Sequence, residues 1–366
     1  MRAWLRCGDL HYGEPVATTP AVTLADVARA AGVSLATASR ALHGAHGRTV
    51  RSELADRVLA AAHDLRYAPN AAAQAMSRGR TSSIGLIVQD IADPFAASVA
   101  AGVMAAAADS DLIVTVAATA GDAAMEIRHV AELRRQRARA VILAGPRFVD
   151  PDADAALAAE IADFTAAGGQ VAAIGRPMPG VNTVVIDNVG GAERLARLLH
   201  SLGYRRFAVL AGPENLATSE DRVAGFRAGL AGCDIGLPPE HVLAAPFSRD
   251  GGYVGMTELL GHGVDPGAID VVFAVNDVMA VGAIAALAEH GFQVPRDMAI
   301  AGFEDVPMLR DIRPPLTTVR LPLEEIGRLA TVLALDTSDD PGVVVHREVP
   351  VELAVRASTP PVGGFR

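Results

Sequence analysis

All 32 permanently basic residues of this 366-residue chain are arginine, and none is lysine. A guanidinium presents its donors in a rigid planar fork, which suits guanine edges, phosphates, carboxylates and hydroxyl pairs. The abundance of alanine beside it also fits a GC-rich genome. Two arginines stand where that chemistry has a context: Arg40, within "VTLADVARAAGVSLATASRAL" (Val22 to Leu42), and Arg222, within "SEDRVAGF". Other polar and aromatic residues follow short apolar runs. Gln89, Asp93 and Phe95 come after "IGLIV", Phe247 lies in "PFSRDGGY", Asn276 and Asp277 end "FAVND", and Glu304 lies in "GFEDV". Catalytic chemistry has little support, since G-x-S-x-G, H-E-x-x-H and P-loop patterns are absent and "GHGVDPG" lacks the strand and spacing of a dinucleotide fingerprint. Cys7 and His11 have a metal-like gap without a second pair, so neither a metal nor a cofactor is expected.

The charge is unevenly placed. Residues 1–83 hold ten Arg against six acids, and the remainder holds 22 against 36, so a basic front precedes an acidic body. The length favours two or three domains, and with 51% hydrophobic and 20% charged residues the chain should fold as globular units. No apolar run is long enough to span a membrane. The opening "MRAWLRCGDLHYGEP" has no apolar signal core, and Cys7 and Cys233 read as reduced thiols. The expected location is cytoplasmic. Residues 1–21 are expected to be an extension, either a mobile arm or an overlong start.

The elements that position Arg40 are legible. Thr23 with Asp26 three residues on resembles a capping box that opens a helix at Leu24. Val27, Ala28 and Ala31 share a face, and Gly32 permits a reversal. Ser34 can then cap a second helix to about Leu42, with Leu35, Ala38 and Leu42 inward. A third helix follows over 52–66, with Leu54, Val58, Leu59, Ala62 and Leu65 at helical spacing. Two short helices joined through a Gly turn make a helix-turn-helix. An ordinary helical hairpin is the alternative on this stretch alone. From Ile84 short apolar runs alternate with helical stretches: "IGLIV", "LIVTVA", "AVILAG", "VAAIG", "TVVID", "FAVLAG", "DVVFAV" and "MAIAGF". This predicts parallel sheets covered by helices on both faces, and ligands at the carboxyl ends of their strands. Asp277 is expected to cap a helix starting near Val278.

With "YAPNAAAQAM", "FAVNDVMAVGAIAAL", "IAGFEDV" and "PPLTTV" added to the helix pair, the chain from Val22 onward resembles the LacI/GalR family of bacterial transcription regulators. The resemblance implies an α/β fold: a two-lobed, periplasmic-binding-protein-like (type I) effector domain preceded by a small all-α helix-turn-helix head. The expected boundaries are 22–69 for the head, 70–83 for a hinge helix and linker, and 84–366 for the effector domain. The lobe changeover is expected near 183–187 and the return crossovers near 319–345. By the family pattern Leu35, Ala36 and Arg40 read bases in the major groove, the first two through thymine methyls and Arg40 through guanine. A phosphate contact is the alternative for Arg40. Thr23, Ser34, Thr37 and Ser39 suit phosphates. In the hinge Asn70 and Ala73 also meet DNA, and Met76 stands where the family wedges a leucine into a base step. The loop "HGAHGRTV" looks about two residues longer than the family's turn, which affects the contacts of His46, Arg48 and Thr49.

The resemblance further implies that Gln89, Asp93, Phe95, Arg222, Phe247, Asn276 and Glu304 line an effector site, aromatics flanking a ring-shaped ligand while Arg, Asn and acid clamp its polar edge. Core packing is the alternative for Phe95 and Phe247. Glu304 is one methylene longer than the family's Asp. The expected protein is a homodimeric repressor, not an enzyme. It would bind a near-palindromic operator in double-stranded DNA under control of a small molecule, sugar-like above all. A solute receptor of the same fold and an enzyme built on the lobes are the rival readings.

Overall fold

The computed structural model describes residues 22–43, 50–68, 81–261, 266–336 and 343–363. The chain divides into two compact units, Met1–Arg78 and Gly79–Arg366.

In the first unit helix α1 (Leu24–Ala31) opens on a reciprocal capping box. The Asp26 amide donates to the Thr23 hydroxyl at 3.3 Å, and the Thr23 amide donates to the Asp26 carboxylate at 3.0 Å. The Thr23 hydroxyl and amide, both donating to the Asp26 carboxylate, hold that carboxyl below its ordinary range. Gly32 ends the helix at φ 63°, in the left-handed region. Helices α2 (Leu35–His43) and α3 (Ser52–Asp64) complete the unit around buried Val27, Ala28, Ala31, Ala38, Val58 and Ala62. The Arg57 guanidinium on α3 donates to the Ala31 carbonyl at the end of α1, satisfying one of that helix's terminal acceptors. Two expected inner residues face out: Leu35 is 53% and Leu59 52% exposed. Leu35 opens α2, ahead of the turn that Ala38 buries. Leu59 is rotated about 100° from Val58 on its helix. Asn70, Ala73, Met76 and the loop residues His46, Arg48 and Thr49 lie outside the described residues.

The second unit holds two lobes. The first is built from β1 (Ser83–Val88), α4 (Pro94–Ala108), β2 (Ile113–Ala118), α5 (Ala123–Arg135), β3 (Ala140–Leu143), α6 (Pro151–Ala166), β4 (Gln170–Gly175) and β5 (Asn182–Ile186). The chain crosses at Asp187 into α7 (Asn188–Ser201), β6 (Phe207–Ala211), α8 (Ala217–Ala231), β7 (Val242–Ala244), α9 (Arg249–Gly261), β8 (Val271–Ala274), α10 (Asp277–Glu289), β9 (Ala299–Glu304) and β10 (Thr317–Arg320). It returns to the first lobe as α11 (Leu323–Leu335) and β11 (His346–Val349), and ends in the second as β12 (Glu352–Ala354). Each lobe has a six-stranded sheet, ordered β11-β5-β4-β3-β1-β2 and β12-β10-β9-β8-β6-β7. The pairings are parallel except for β10 with β12.

The chain crosses between the lobes at Asp187, again at 321–322 and a third time at 350–351, the last so late because β11 extends the first sheet to Val349. All eight apolar runs form strands. The short strands β7, β10, β11 and β12 have no such run behind them. Helices α4 and α11 pack on one face of the first sheet, α5 and α6 on the other, while α7 with α8 and α9 with α10 pair in the second lobe. Among the described residues no helix is long and apolar enough to cross a membrane.

Candidate functional site

The carboxyl ends of both sheets face a common cleft, and its centre is Arg222. This residue lies in the second turn of α8 and is 2% exposed. A buried guanidinium is tolerated only when its donors are matched. Here Nε donates to Asn188 Oδ1 at 2.9 Å, and Nη1 donates to the Val275 carbonyl at 2.7 Å and to Glu304 Oε1 at 2.9 Å. The guanidinium carbon stands 4.0 Å from the centroid of Phe303, a cation–π contact made stronger by desolvation. The partners come from the ends of β8 and β9 and the start of α7, so three elements fix one side chain.

Burial pushes the Glu304 carboxyl up to about 8; Arg222 opposes the shift, and Asp93 and Asp277 add to it. Glu304, the last residue of β9, also takes φ 121°, a conformation uncommon outside glycine. Asp93 caps α4 by accepting from the Phe95 amide at 3.0 Å. Burial raises its carboxyl too, with Arg222 pulling the other way.

Five of the seven expected effector residues line one small cavity: Asp93, Phe95, Arg222, Phe247 and Glu304, together with Asn188 and Thr218. Its volume is about 30 Å³, room for no more than about a few water molecules. A ring-sized ligand therefore needs the lobes to part or the aromatic side chains to move. Phe95 and Phe247 are half-buried and serve both readings, packing on the core while lining the cavity.

Gln89 and Asn276 do not line it. Gln89 places its amide beside Gly121, in the loop after β2. Asn276 is the N-cap of α10, its Oδ1 accepting from the Met279 amide at 2.9 Å. Capping thus belongs to Asn276 and not to Asp277, since the helix starts at Asp277 itself. Asp277 is fully buried and ties distant segments together by accepting from the Thr318 hydroxyl at 2.7 Å and the Val306 amide at 3.0 Å. Burial pushes its carboxyl up to about 7. Asn188 was missed, although it follows "TVVID" directly and so had the same strand-end signal as the others.

In the head, Leu35 and Ala36 are exposed and Arg40 is partly exposed on α2. Arg40 Nε donates back to the Ala36 carbonyl at 2.9 Å. The Ser34 and Thr37 hydroxyls are 2.9 Å apart, and the Thr37 amide donates to Ser34 Oγ at 3.2 Å. Ser39 is partly exposed on α2, and the Thr23 hydroxyl donates to Asp26 at 2.7 Å.

A helix-turn-helix unit joined to two parallel-sheet lobes with a polar cleft defines the class of ligand-responsive DNA-binding regulators. Residues 23–70 match the model of bacterial regulatory proteins of the lacI family, and residues 196–359 match that of the periplasmic binding protein-like domain. The chain is 33% identical over 316 residues to the HTH-type transcriptional regulator GalS of Salmonella typhimurium (strain LT2), covering 86% of this chain and 89% of that one. It is 30% identical over 309 residues to the ribose operon repressor of Escherichia coli (strain K12), covering 84% and 90%. Among solved structures, the Lac repressor dimer bound to operator and the anti-inducer ONPF is similar at a TM-score of 0.81, with 26% identity and coverage of 93% and 99%. The complex of the transcriptional regulator CelR with cellobiose is similar at 0.66, with 30% identity and coverage of 92% and 99%. The chain belongs to the lacI family of bacterial regulatory proteins. It is a DNA-binding transcription regulator and not an enzyme.

Proposed function

We propose that this regulator is a cytoplasmic, homodimeric repressor that binds a near-palindromic operator and changes its grip when a sugar-like molecule enters the cleft. Leu35 and Ala36 offer apolar contact to thymine methyls, and Arg40 exchanges its bond to Ala36 for guanine O6 and N7. Thr23, Ser34, Thr37 and Ser39 position the head on phosphates. Asn70, Ala73 and Met76 complete the grip in the minor groove.

Arg222 is the observation that carries the effector reading. It is a buried guanidinium with Asp93 and Glu304 beside it and two aromatic residues at the same cavity, which is the mix of few polar groups and apolar cover that small-molecule sites use. A neutral polyhydroxylated ligand suits a site whose guanidinium, carboxyls and Asn188 amide offer it both donors and acceptors. Gln89 and Asn276 act from behind, Asn276 by holding the start of α10. The names of similar proteins, a ribose operon repressor and a cellobiose complex, point the same way.

A dimer is supported by the edge strand β2. Ile113 and Val116 on it are 73% and 36% exposed, and Met104 on the adjacent α4 is 47% exposed. An open apolar edge of this kind calls for cover, and two heads are needed to read enough bases for specificity. Footprinting of the regions upstream of its own and neighbouring genes tests the reading. Protection of a short near-palindrome that a sugar relieves or strengthens is expected. Equal protection of all DNA, with no sugar effect, overturns it.

A further inference from the structure

Four arginines stand within the six positions 134–139, in "LRRQRAR", and no separate stretch of six in the chain holds more than two. They lie in a body whose balance from residue 84 onward is 22 Arg against 36 acids. Arg134 and Arg135 close α5, where cations complement the negative end of the helix dipole. Their charges are also offset, Arg134 Nε pairing with Glu160 at 2.7 Å and Arg135 Nη2 with Glu132 at 2.6 Å. Neither account covers Arg137 and Arg139. Both lie past the helix, and neither guanidinium has a partner among the described residues. Arg137 is exposed and takes φ 56°, a left-handed conformation that turns usually give to glycine or asparagine.

Thr81, the first described residue of the second unit, is tied to this same turn. Its amide and hydroxyl both donate to the Arg137 carbonyl, at 2.9 and 3.0 Å, and the Arg139 amide donates to the Ser83 carbonyl at 2.9 Å. Arg134, Arg135 and Arg137 border a recess of about 340 Å³ beside Phe164 and Gly169, which is open enough for a phosphate group. In sequence Met76 precedes Thr81 by five residues, with Arg78 and Arg80 between them. Five residues reach at most about 18 Å, so DNA held at Met76 comes within about two Debye lengths of Thr81 at physiological salt. An acidic body repels DNA. Unmatched arginines beside the tether counter that repulsion at the point of closest approach.

We propose that the arginine patch at 134–139 is a second, sequence-independent DNA contact, made by the effector domain, in which Arg137 and Arg139 neutralise backbone phosphates beside the site that the head reads. The inference rests on the reading of the head and Met76 as the operator grip. Phosphate contacts of this kind add affinity and salt dependence while leaving base preference alone.

The test is titration of the footprinted operator by the full-length protein over a range of salt concentrations. Log affinity should fall against log salt with a slope of about −0.9 for each phosphate neutralised. Arg137→Gln/Arg139→Gln, present in both protomers, should make that slope shallower by about 2 or more and weaken binding about tenfold or more in low salt, with preference among operator variants unchanged. Arg137→Lys/Arg139→Lys keeps the charge and should keep the slope. Arg194→Gln/Arg197→Gln removes the same net charge from exposed positions on α7 of the second lobe and should keep it too. A smaller change of slope in the first variant, an equal change in either of the other two, or a shifted base preference overturns the patch as a DNA contact while leaving the reading of the head in place. Absence of any footprint overturns both.

Discussion

Glu304 and Asp277 are the buried carboxyls whose environment can be read in solution. Their values rise from 4.5 to about 8 and from 3.8 to about 7, chiefly through burial. Across that window the folded chain holds protons that the unfolded chain has released. The stability they contribute is complete below the unfolded values and is lost as the pH rises towards 8. Glu304→Gln should flatten this decline by about 1–3 kcal/mol at its upper end, measured as Tm against pH. A wild-type stability that climbs through the window, unchanged in the variant, contradicts the assignment. In the head, Arg40→Ala should cost about 1–3 kcal/mol at one base position and relax preference there. Affinity selection on operator libraries would show it, and a uniform loss over all sequences reassigns Arg40 to phosphate. Arg222, in the second turn of α8, and Glu304, the last residue of β9, could be named from the sequence because each lies in a recognisable stretch. The roles of Asn276 and Asp277 were not, because which of two adjacent polar residues caps α10 depends on where that helix starts within a residue and on what Thr318 and Val306 offer from far along the chain.

Helices α4 and α11 meet through two glycines, an approach that no periodicity announces. A Cβ on Gly102 would stand 1.9 Å from the Glu324 carbonyl oxygen, and one on Gly327 would stand 2.1 Å from that of Val99. Backbone on both sides leaves nothing flexible to yield. Gly102→Ala should therefore separate the helices and cost about 1–3 kcal/mol or more, read as a lowered Tm with operator contacts of the head intact. An unchanged Tm would mean that the two helices can part freely. Most legible strands, such as β1, β3, β6, β8 and β9, are buried on both faces, where an apolar run is obligatory, whereas the edge strand β2 was legible from an apolar run that is largely exposed. Strand β11, "HREV", is exposed over its first three residues, so its sequence carries no apolar signal. The reciprocal box at Thr23 and the turn at Gly32 were readable because both depend on side chains within a few residues of one another. Leu35 was assigned to the inner face because helical spacing alone does not say where a face begins at the first residue of a helix.

At the scale of the molecule, the effector domain can influence the operator only by holding the ligand differently in two lobe arrangements. The backbone bonds between Val149 and Asn215 and between Ala217 and Arg147, with the Arg176–Asp221 pair, join the lobes as they stand. A cavity of about 30 Å³ beside them must enlarge to admit a ring. A basic front and an acidic body of parallel sheets were evident from charge and from the alternation of apolar runs, and the two lobes from the family resemblance. What could not be read was the cleft's inner shape, which depends on side chains from α4, α7, α8 and β9 meeting across hundreds of residues of sequence. On this reading Arg222 links ligand to operator without touching DNA. The most direct measurement is operator titration by wild type and Arg222→Ala, each with and without a sugar that shifts the wild-type melting temperature. Operator affinity of the variant should stay within a few-fold of wild type while the sugar's effect on it disappears. A variant that still responds at wild-type sugar concentrations would contradict the account.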